Sequence, residues 1–492
     1  MTVADQDYGI TAFGAYVPRL RIARSAIAQA HAWMAPALAG MASGSRAFAS
    51  WDEDAVTMAV EAARHALGPV GACADGEGIA ALELVSNTLP FADLQNAALV
   101  AAALQLPERL RTRDSGHSQR AAVSALQAAL YARGGDILLV ASDTPNARPA
   151  SAQEMLFGAG AAALRLGPQR VLARVLASQS HTSGFVDHFR DADQKFEYGW
   201  EERWVREEGY GKIVPQAVEA TLAAARIAAG DCAHFVLAAP GKGIAQAVAK
   251  KIGFTGRIAP SLAEEVGHAG VAHPLLMLAA VLEVAKPGET ILLAAFGQGC
   301  DVLVLQATEA LAAYRARRPL AQLLADAVPT SAYLRMLSFA GNIEPEWGMR
   351  SEKDGKTALS EQYRSGTQMA GFTAGRCTRC ATVQFPQLAY CVNPGCGASA
   401  SAFAPASLVD APARVFTYTA DWLNFHPAPP LYVGLVQFDN GARVLMEIVD
   451  VGEAGIDVGT PLRMVYRIKE RDAQRGYRRY FWKATPIQEL RE

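Results

Sequence analysis

The chain of 492 residues lacks a surplus of either charge: 46 Lys and Arg stand against 48 Asp and Glu, a net charge of −2. Without a global positive field, nucleic acid or an anionic membrane could be recognised only through a local patch, and neither is expected as a partner. The chain also lacks an apolar run long enough for a bilayer. Leu275–Ala285 is interrupted by Glu283 and stopped by Lys286 and Pro287, short of the ~20 residues that a spanning helix needs. Met1–Asp7 carries two acids and no basic cluster, so no export signal is expected there. Cysteine is sparse and odd in number, seven in all, which argues against a secreted disulfide framework and for a reducing, cytoplasmic setting. Gly (42) and Pro (25) are near average usage, which excludes fibrous and low-complexity chains.

What is present is enough apolar sequence, 51%, for a large core, and a length that predicts two to four domains of ~100–200 residues each. The first ~310 residues alternate helix-periodic stretches (Ala55–Leu67, Gln216–Ala229) with short continuous apolar runs (Ile137–Ala141, Ile291–Ala295) that read as strands buried on both faces. This pattern predicts an α/β layered fold. It also echoes itself. Gly116-His117, a helix at Ala125–Ala132, Gly134-Gly135 and the strand Ile137–Ala141 are followed about 150 residues later by Gly267-His268, a helix at Leu275–Ala285, Pro287-Gly288 and the strand Ile291–Ala295. Either any two α/β units look alike or the unit is duplicated. A duplication would place both Gly-His loops near one pseudo-twofold axis.

The composition then changes. Arg315–Arg318 is basic and Glu344–Arg364 polar, as in a connector with some helix. From Gly371 onward no long helical pattern appears. Ala413–Thr419, Leu431–Phe438, Ala442–Val449, Pro461–Ile468 and Arg478–Trp482 read as five strands of a small barrel. Ahead of them, Cys377 and Cys380 form a C-x-x-C pair, and Cys391 and Cys396 form a second. Four thiolates in two pairs suit tetrahedral zinc and leave no position for water, so the expected zinc is structural. A redox pair is the alternative, but no thioredoxin-like unit surrounds it.

Tyr8–Ile22 (YGITAFGAYVPRLRI), Trp51–Arg64 (WDEDAVTMAVEAAR) and Gly297-Gln298-Gly299 resemble the HMG-CoA synthase branch of the thiolase superfamily, over residues 8–310. The tail, with Arg376–Cys396 and Tyr480-Phe481-Trp482-Lys483, resembles the DUF35 family, a rubredoxin-like zinc ribbon followed by an OB-fold. The resemblance implies an α/β fold: a duplicated thiolase-like αβαβα core, here fused to a C-terminal zinc ribbon and β-barrel. The domains are then expected at 1–165 and 166–310 (the two halves of the core), 311–370 (helical connector), 371–404 (zinc ribbon) and 405–492 (OB-fold). It further implies a homodimer, acyl-CoA thioesters as substrates, a partner enzyme, and the making or breaking of a C–C bond.

The family's catalytic pattern is not followed. Its nucleophilic cysteine falls at Gln119, beside Ser118; its glutamate falls at Thr88; its histidine falls at Ala238, before Pro240–Lys242; and its asparagine falls at His268. A Claisen condensation through an acyl-enzyme needs a thiolate, which Gln cannot supply. In ketosynthase relatives, Gln at the cysteine position accompanies decarboxylation. The remaining shell offers the backbone N–H groups of Gly297 and Gly299 to an oxyanion. It offers His268, His273 and His117 on the echoed loops as acid/base groups or as loop-binding histidines. Cys300 is a relocated nucleophile or a small buried residue, and Lys242 a contact for a CoA phosphate or a solvated lysine. Asp187-His188, Arg190, Phe196, Glu197, Tyr198 and Trp200 line a substrate entrance or an exposed face. Cys73 and Cys232 read as ordinary small apolar residues.

Three functions compete. The first is an acyl-CoA enzyme of C–C bond chemistry (condensation, aldol-type cleavage or decarboxylation) that works without the usual cysteine. The second is a non-catalytic acyl-CoA-binding or auxiliary subunit of a thiolase-type complex. The third, nucleic-acid binding through Arg467–Arg479 and Tyr477, lacks a clear aromatic platform on the strands.

Overall fold

The structure, a computed structural model, describes residues 8–70, 78–352, 358–453 and 455–487. The readings made for Met1–Asp7 and Cys73 lie outside the described residues. The apolar runs of the first part form one ten-stranded sheet. Its N-terminal half holds β1 (Gly9–Tyr16), β2 (Ile79–Val85), β3 (Arg111–Ser115), β4 (Asp136–Asp143) and β5 (Gly160–Gly167). Its C-terminal half holds β6 (Ala173–Thr182), β7 (His234–Leu237), β8 (Arg257–Ile258), β9 (Thr290–Phe296) and β10 (Gly299–Ala307). The order across the sheet is β3-β2-β4-β5-β1-β6-β10-β9-β7-β8. Each half repeats the same connectivity, and the halves meet where Gly9 and Ile10 pair with Arg174 and Ala173. The internal echo is therefore a duplication, with β4 and β9 in equivalent places.

Four helices complete the layers: α1 (Ala55–Leu67), α2 (Ala121–Ala132), α3 (Val214–Ala225) and α4 (His273–Leu282). Side chains alternate across a strand, so each half-sheet has two apolar faces to cover. Leu139, Leu164, Leu293 and Leu303 share one cluster with Leu126 of α2 and Leu275 and Leu278 of α4. Leu138, Val140 and Ala163 face α1 instead, while Leu292, Val302 and Val304 face Val214, Val218 and Leu222 of α3. The result is α1, half-sheet, α2 with α4, half-sheet, α3. The duplicated echo loops lead into the two central helices.

A polar bolt crosses the central layer. Arg120, just before α2, pairs with the fully buried Asp301 of β10 at 2.5 Å and donates from Nε to the Gly297 carbonyl at 2.9 Å. On α2 itself, Gln127 donates to the Gln179 carbonyl at 3.0 Å and accepts from Ser180 Oγ at 2.8 Å.

The segment expected as a connector is not a free link. Val328–Thr330 adds a parallel strand to Leu20–Ile22, and Tyr333, Met336 and Leu337 pack on Ile22, Ile27 and Met155. Short apolar stretches inside a polar segment hid this docking from composition. Beyond it, Thr373–Cys377, Val383–Gln384 and Phe403–Ser407 form a three-stranded ribbon. A five-stranded sheet follows, in the order Arg443–Glu447, Leu431–Phe438, Ala413–Asp421, Pro461–Asp472, Tyr477–Pro486. It curls shut where Val449 N donates to the Ala484 carbonyl at 2.8 Å. All five strands expected in the tail are present.

The barrel is welded to the core by the Asp52-Glu53-Asp54 run ahead of α1. Lys483 Nζ meets Asp52 at 3.0 Å, Arg467 meets Glu53 at 2.5 Å, and Arg478 meets Asp54 at 2.8 Å. Asp54 is also the N-cap of α1, accepting from Val56 N and Thr57 N. Within the basic stretch Arg467–Arg479, Arg467 and Arg478 are thus spent on the core, while Lys469, Arg471 and Arg475 stay exposed. Barrel and α1 also share one apolar cluster, in which Val56 and Met58 sit with Val436, Met464 and Trp482. Replacing Arg467 by Met should leave Glu53 and Asp450 uncompensated and cost about 3–5 kcal/mol. Scanning calorimetry should then resolve a separate, earlier barrel transition; an unchanged single transition would show that the pairs do not hold the junction.

Candidate functional site

A cavity of about 1480 Å³ opens between core and barrel. Its floor is the end of the central strands: Asn87 and Thr88 after β2, Asp143 at the end of β4, and Gln119 before α2. Arg190, Lys195 and Glu197 form one side, and His426, Glu447 and Lys469 of the barrel form the far wall. In open α/β sheets, ligands bind beyond the carboxyl ends of the strands, and this cavity obeys that rule.

Asp143 is 1% exposed. Its Oδ1 accepts from Thr88 Oγ1 at 2.6 Å, Ser86 Oγ at 3.0 Å and Asn87 N at 3.1 Å, and its Oδ2 accepts from Val271 N at 3.0 Å. Burial still outweighs these donors and holds its acidity constant above the ordinary carboxylate value. Gly270 must be glycine here: its φ is +53°, and a Cβ would lie 2.2 Å from Asp143 Oδ2. Asp143 therefore ties the N-terminal half to the second echo loop.

Beside it stands a dyad. His188 Nδ1 lies 2.7 Å from Asp187 Oδ2, and His188 Nε2 lies 3.4 Å from the Gln119 amide. Burial opposes an imidazolium, but Asp187 outweighs it, so the His188 pKa is raised above its ordinary value. A protonated Nε2 must donate. Gln119 Oε1 is buried without a partner, and turning the amide end for end offers that acceptor to His188. Glu197 is also raised, first by burial, then by Asp143 and Asp187, against the pull of His188. Glu197 on the cavity wall and His188 behind Gln119 are thus both raised, and perturbed groups of this kind cluster at functional sites.

His268 and His273 stack with ring centroids 4.6 Å apart. Burial pushes His268 well below its ordinary value, with His273 and His188 adding to the shift. His273 is brought down to about 4 by burial. Both nitrogens of His273 are engaged: Nε2 with the Ser261 carbonyl at 2.8 Å, and Nδ1 as acceptor from Ala269 N at 3.2 Å. It holds the second echo loop as a neutral ring and has no free nitrogen for chemistry.

The other expected groups are scattered. Thr88 lines the cavity. Ser118 Oγ donates to the Gly297 carbonyl at 3.0 Å. His117 is exposed, at φ +70°, with its N–H bonded to Asn87 Oδ1. The Gly297 N–H is spent on the Gly299 carbonyl at 3.0 Å, which argues against it as an oxyanion donor. Gly299, at φ +121°, lies against the His181 carbonyl. Lys242 is a solvated loop lysine, with Glu264 as a distant partner at 3.8 Å. Cys300 corrects an expectation: it is fully buried with Phe296 and Val302, and burial raises its thiol strongly, the opposite of an activated nucleophile. Cys232 is a small buried residue as expected. No described cysteine lines the cavity.

Sequence reading passed over Asp143 and undervalued Asp187, His188 and Glu197. For Asp143 a signal existed, since a carboxylate ends the buried strand ILLVASD. His188 sits in an irregular segment with no periodicity, and only the tertiary fold brings it to Gln119.

At the ribbon, the Sγ atoms of Cys377, Cys380, Cys391 and Cys396 all lie within 4.8 Å of one another. Cys377 and Cys396 are 3.8 Å apart, and Cys380 and Cys391 are 3.5 Å apart. A tetrahedron with Zn–S bonds of ~2.3 Å has edges of ~3.8 Å, so the cluster fits a zinc ribbon. Hydrogen bonds from Thr382 bring Cys380 down to about 6, toward the thiolate a metal requires.

Comparison with known proteins fits this architecture. The family profile of the 3-oxoacyl-[acyl-carrier-protein] synthase III C-terminal domain matches residues 222–305, and that of the ChsH2 C-terminal OB-fold domain matches residues 409–467. Hydroxymethylglutaryl-CoA synthase of Aeropyrum pernix is 32% identical over 361 residues, covering 71% of this chain and 95% of that protein. The enzyme of the same name from Methanosarcina acetivorans is 30% identical over 333 residues, covering 65% and 94%. Among solved structures, HMG-CoA synthase complexed with CoA superposes with a TM-score of 0.56 at 16% identity, over 71% of this chain and 94% of that one. The curacin-pathway HMG synthase with apo donor-ACP gives 0.59 at 18% identity, over 74% and 95%. At these identities the structures share the fold.

Two outcomes follow from the geometry. His273 is depressed to about 4, so below its ordinary value of 6.5 the unfolded chain takes the proton and the folded chain does not. Stability should therefore fall as pH drops from about 6.5 toward 4, by up to ~1.4 kcal/mol per pH unit for each such histidine. Tm measured against pH should show this slope, and a flat profile would contradict a neutral buried ring. Elemental analysis should find one zinc per chain, and Cys391→Ser should release it and loosen the ribbon. Retention of zinc in that variant would exclude the four-sulfur site.

Proposed function

The chain belongs to the hydroxymethylglutaryl-CoA synthase family, and from that premise we propose that it makes or breaks a C–C bond of an acyl-CoA thioester without a cysteine nucleophile. The observation that carries this reading is the His188–Asp187 dyad set against Gln119, where the family resemblance places the cysteine, with Glu197 in the same cavity. An acyl-enzyme has no thiol to form on here, so the substrates must react non-covalently.

The residues divide the proton work. Glu197, raised toward neutrality, is the general base that takes the proton from a β-hydroxyl in aldol cleavage, or from an α-carbon in the reverse direction. As the C–C bond opens, its electron pair moves into the thioester and becomes an enolate. Protonated His188, anchored by Asp187, faces that developing charge, and Gln119 fixes its Nε2. His268, kept neutral by burial, adds a donor without competing for the proton. Thr88 and Asp143 hold the floor.

The cavity exceeds the ~300–1,000 Å³ typical of small-ligand sites, consistent with a coenzyme A thioester. Lys195 and Lys469 at its sides supply cations for the coenzyme's phosphates. Part of the wall belongs to the barrel, so the tail has a role in substrate enclosure. A homodimer, a partner enzyme, structural zinc and a cytoplasmic setting belong to the same proposal.

Purified protein should be screened against a panel of CoA thioesters by mass spectrometry, reading bound species and products together. His188→Ala and Glu197→Gln should each lower kcat by about 10²–10⁴-fold with little change in KM. His268→Ala should lower turnover while CoA esters still bind. Undiminished turnover in the His188 and Glu197 variants would overturn the assignment. Binding without any turnover, together with a stable complex with a second enzyme, would favour the auxiliary-subunit role.

A further inference from the structure

A second pocket, of about 450 Å³, lies where the core, the connector and the barrel meet. It shares no lining residue with the large cavity. Five guanidinium groups line it: Arg19 and Arg64 from the core, Arg317 and Arg318 from the connector, and Arg463 from the barrel. Among the described residues three carboxylates line the pocket with them, all three already engaged, and Asp450 behind the lining acts on Arg19 and Arg463. Glu61 is shared between Arg64 at 3.0 Å and Arg463 at 3.7 Å. Asp410 pairs with Arg64 at 3.0 Å, and Asp326 pairs with Arg318. His65, the remaining titratable group on the lining, is buried, and burial lowers its pKa to about 4, so it is neutral at ordinary pH.

Among the described lining residues, guanidinium groups therefore outnumber carboxylates by two. Arg19 is 8% exposed and bonds only to the Asp326 and Asp450 carbonyls, so its Nη2 is buried without a partner. Arg64 Nε is likewise buried without a partner. Arg317, exposed at the mouth of the pocket, has no ion-pair partner among the described residues. It lies against Gly68, at φ +96°, where a Cβ would come within 2.4 Å of Arg317 Nη2. Buried guanidinium N–H groups without an acceptor are costly, and an anion with several acceptor oxygens offsets that cost.

We propose that this pocket binds a phosphorylated small molecule, clamped between core, connector and barrel. Its volume falls in the range of small-ligand sites, and forked guanidinium donors match phosphate oxygens. Because the three segments converge here on a lining separate from that of the large cavity, occupancy would tighten the barrel on the core from a second point.

The test uses the full chain and inorganic pyrophosphate as the probe, read by calorimetric titration and by Tm. Millimolar pyrophosphate should raise Tm by several degrees, and affinity should fall with added salt. Arg317→Glu should weaken binding by ~10-fold or more. Its Tm without the anion should not fall, and any acyl-CoA turnover should be unchanged. Absence of a pyrophosphate effect, or equal binding by the variant, would overturn the proposal. So would competition between pyrophosphate and CoA, which would put the anion in the large cavity. Phosphatidylglycerol vesicles supply the same anion from a lipid source, and co-sedimentation with them in place of stabilisation by pyrophosphate would overturn a free small-molecule ligand. None of these readouts requires turnover, so their failure is separable from failure of the acyl-CoA assignment.

Discussion

Arg467 is 1% exposed and sits among Glu53, Asp52 and Asp450, with Tyr16 also on its guanidinium. Breaking one member of such a group leaves a naked charge in low dielectric, so the set forms or fails as a unit. It joins three parts of the chain that are far apart in sequence: β1, the turn before α1, and the longest barrel strand. Lys483 extends the chain of charges from Asp52 to Glu447, and His426 continues from Glu447 to the rim of the large cavity. The barrel's orientation is thereby coupled to the wall of the candidate site.

The duplication explains why the chemistry collects where it does. Two copies of one α/β unit bring α2 and α4 into the same central layer, and each copy's echo loop is delivered to the ends of the strands. The copies then diverged in use. In the first, Gln119 faces the cavity while His117 points to solvent. In the second, His268 is half-buried and His273 buried, both held toward the neutral form, and Gly270 clears space for Asp143. Four hydrogen-bond donors offset part of the cost of burying Asp143, which makes it a fixed support in the floor.

Much of this was legible beforehand, for stated reasons. Continuous apolar runs announced strands covered on both faces, and the tail's alternation announced a barrel. The ribbon cysteines were readable because chelation imposes short spacings on a single local segment. The run Trp51–Arg64 carries the family signature; the structure adds that its four acids, Asp52, Glu53, Asp54 and Glu61, are the barrel's docking points and that Asp54 starts α1. The connector's helices are present, but its docking was not legible because the partners of Tyr333, Met336 and Leu337 are far away in sequence. Cys300 looked available because it follows a glycine turn, yet alternation along β10 turns its thiol into the core.

Local patterning along the chain determined which segments are strands, which are helices, that the unit is repeated and that four thiols form one cluster. These depend on neighbours within about one element. Whether His188 meets Gln119, whether Arg467 finds Glu53, and whether five arginines converge on one pocket were decided by tertiary structure alone. Such encounters join residues that no periodicity links, and the shifts in their charge states arise from burial, which exists only once the layers have packed.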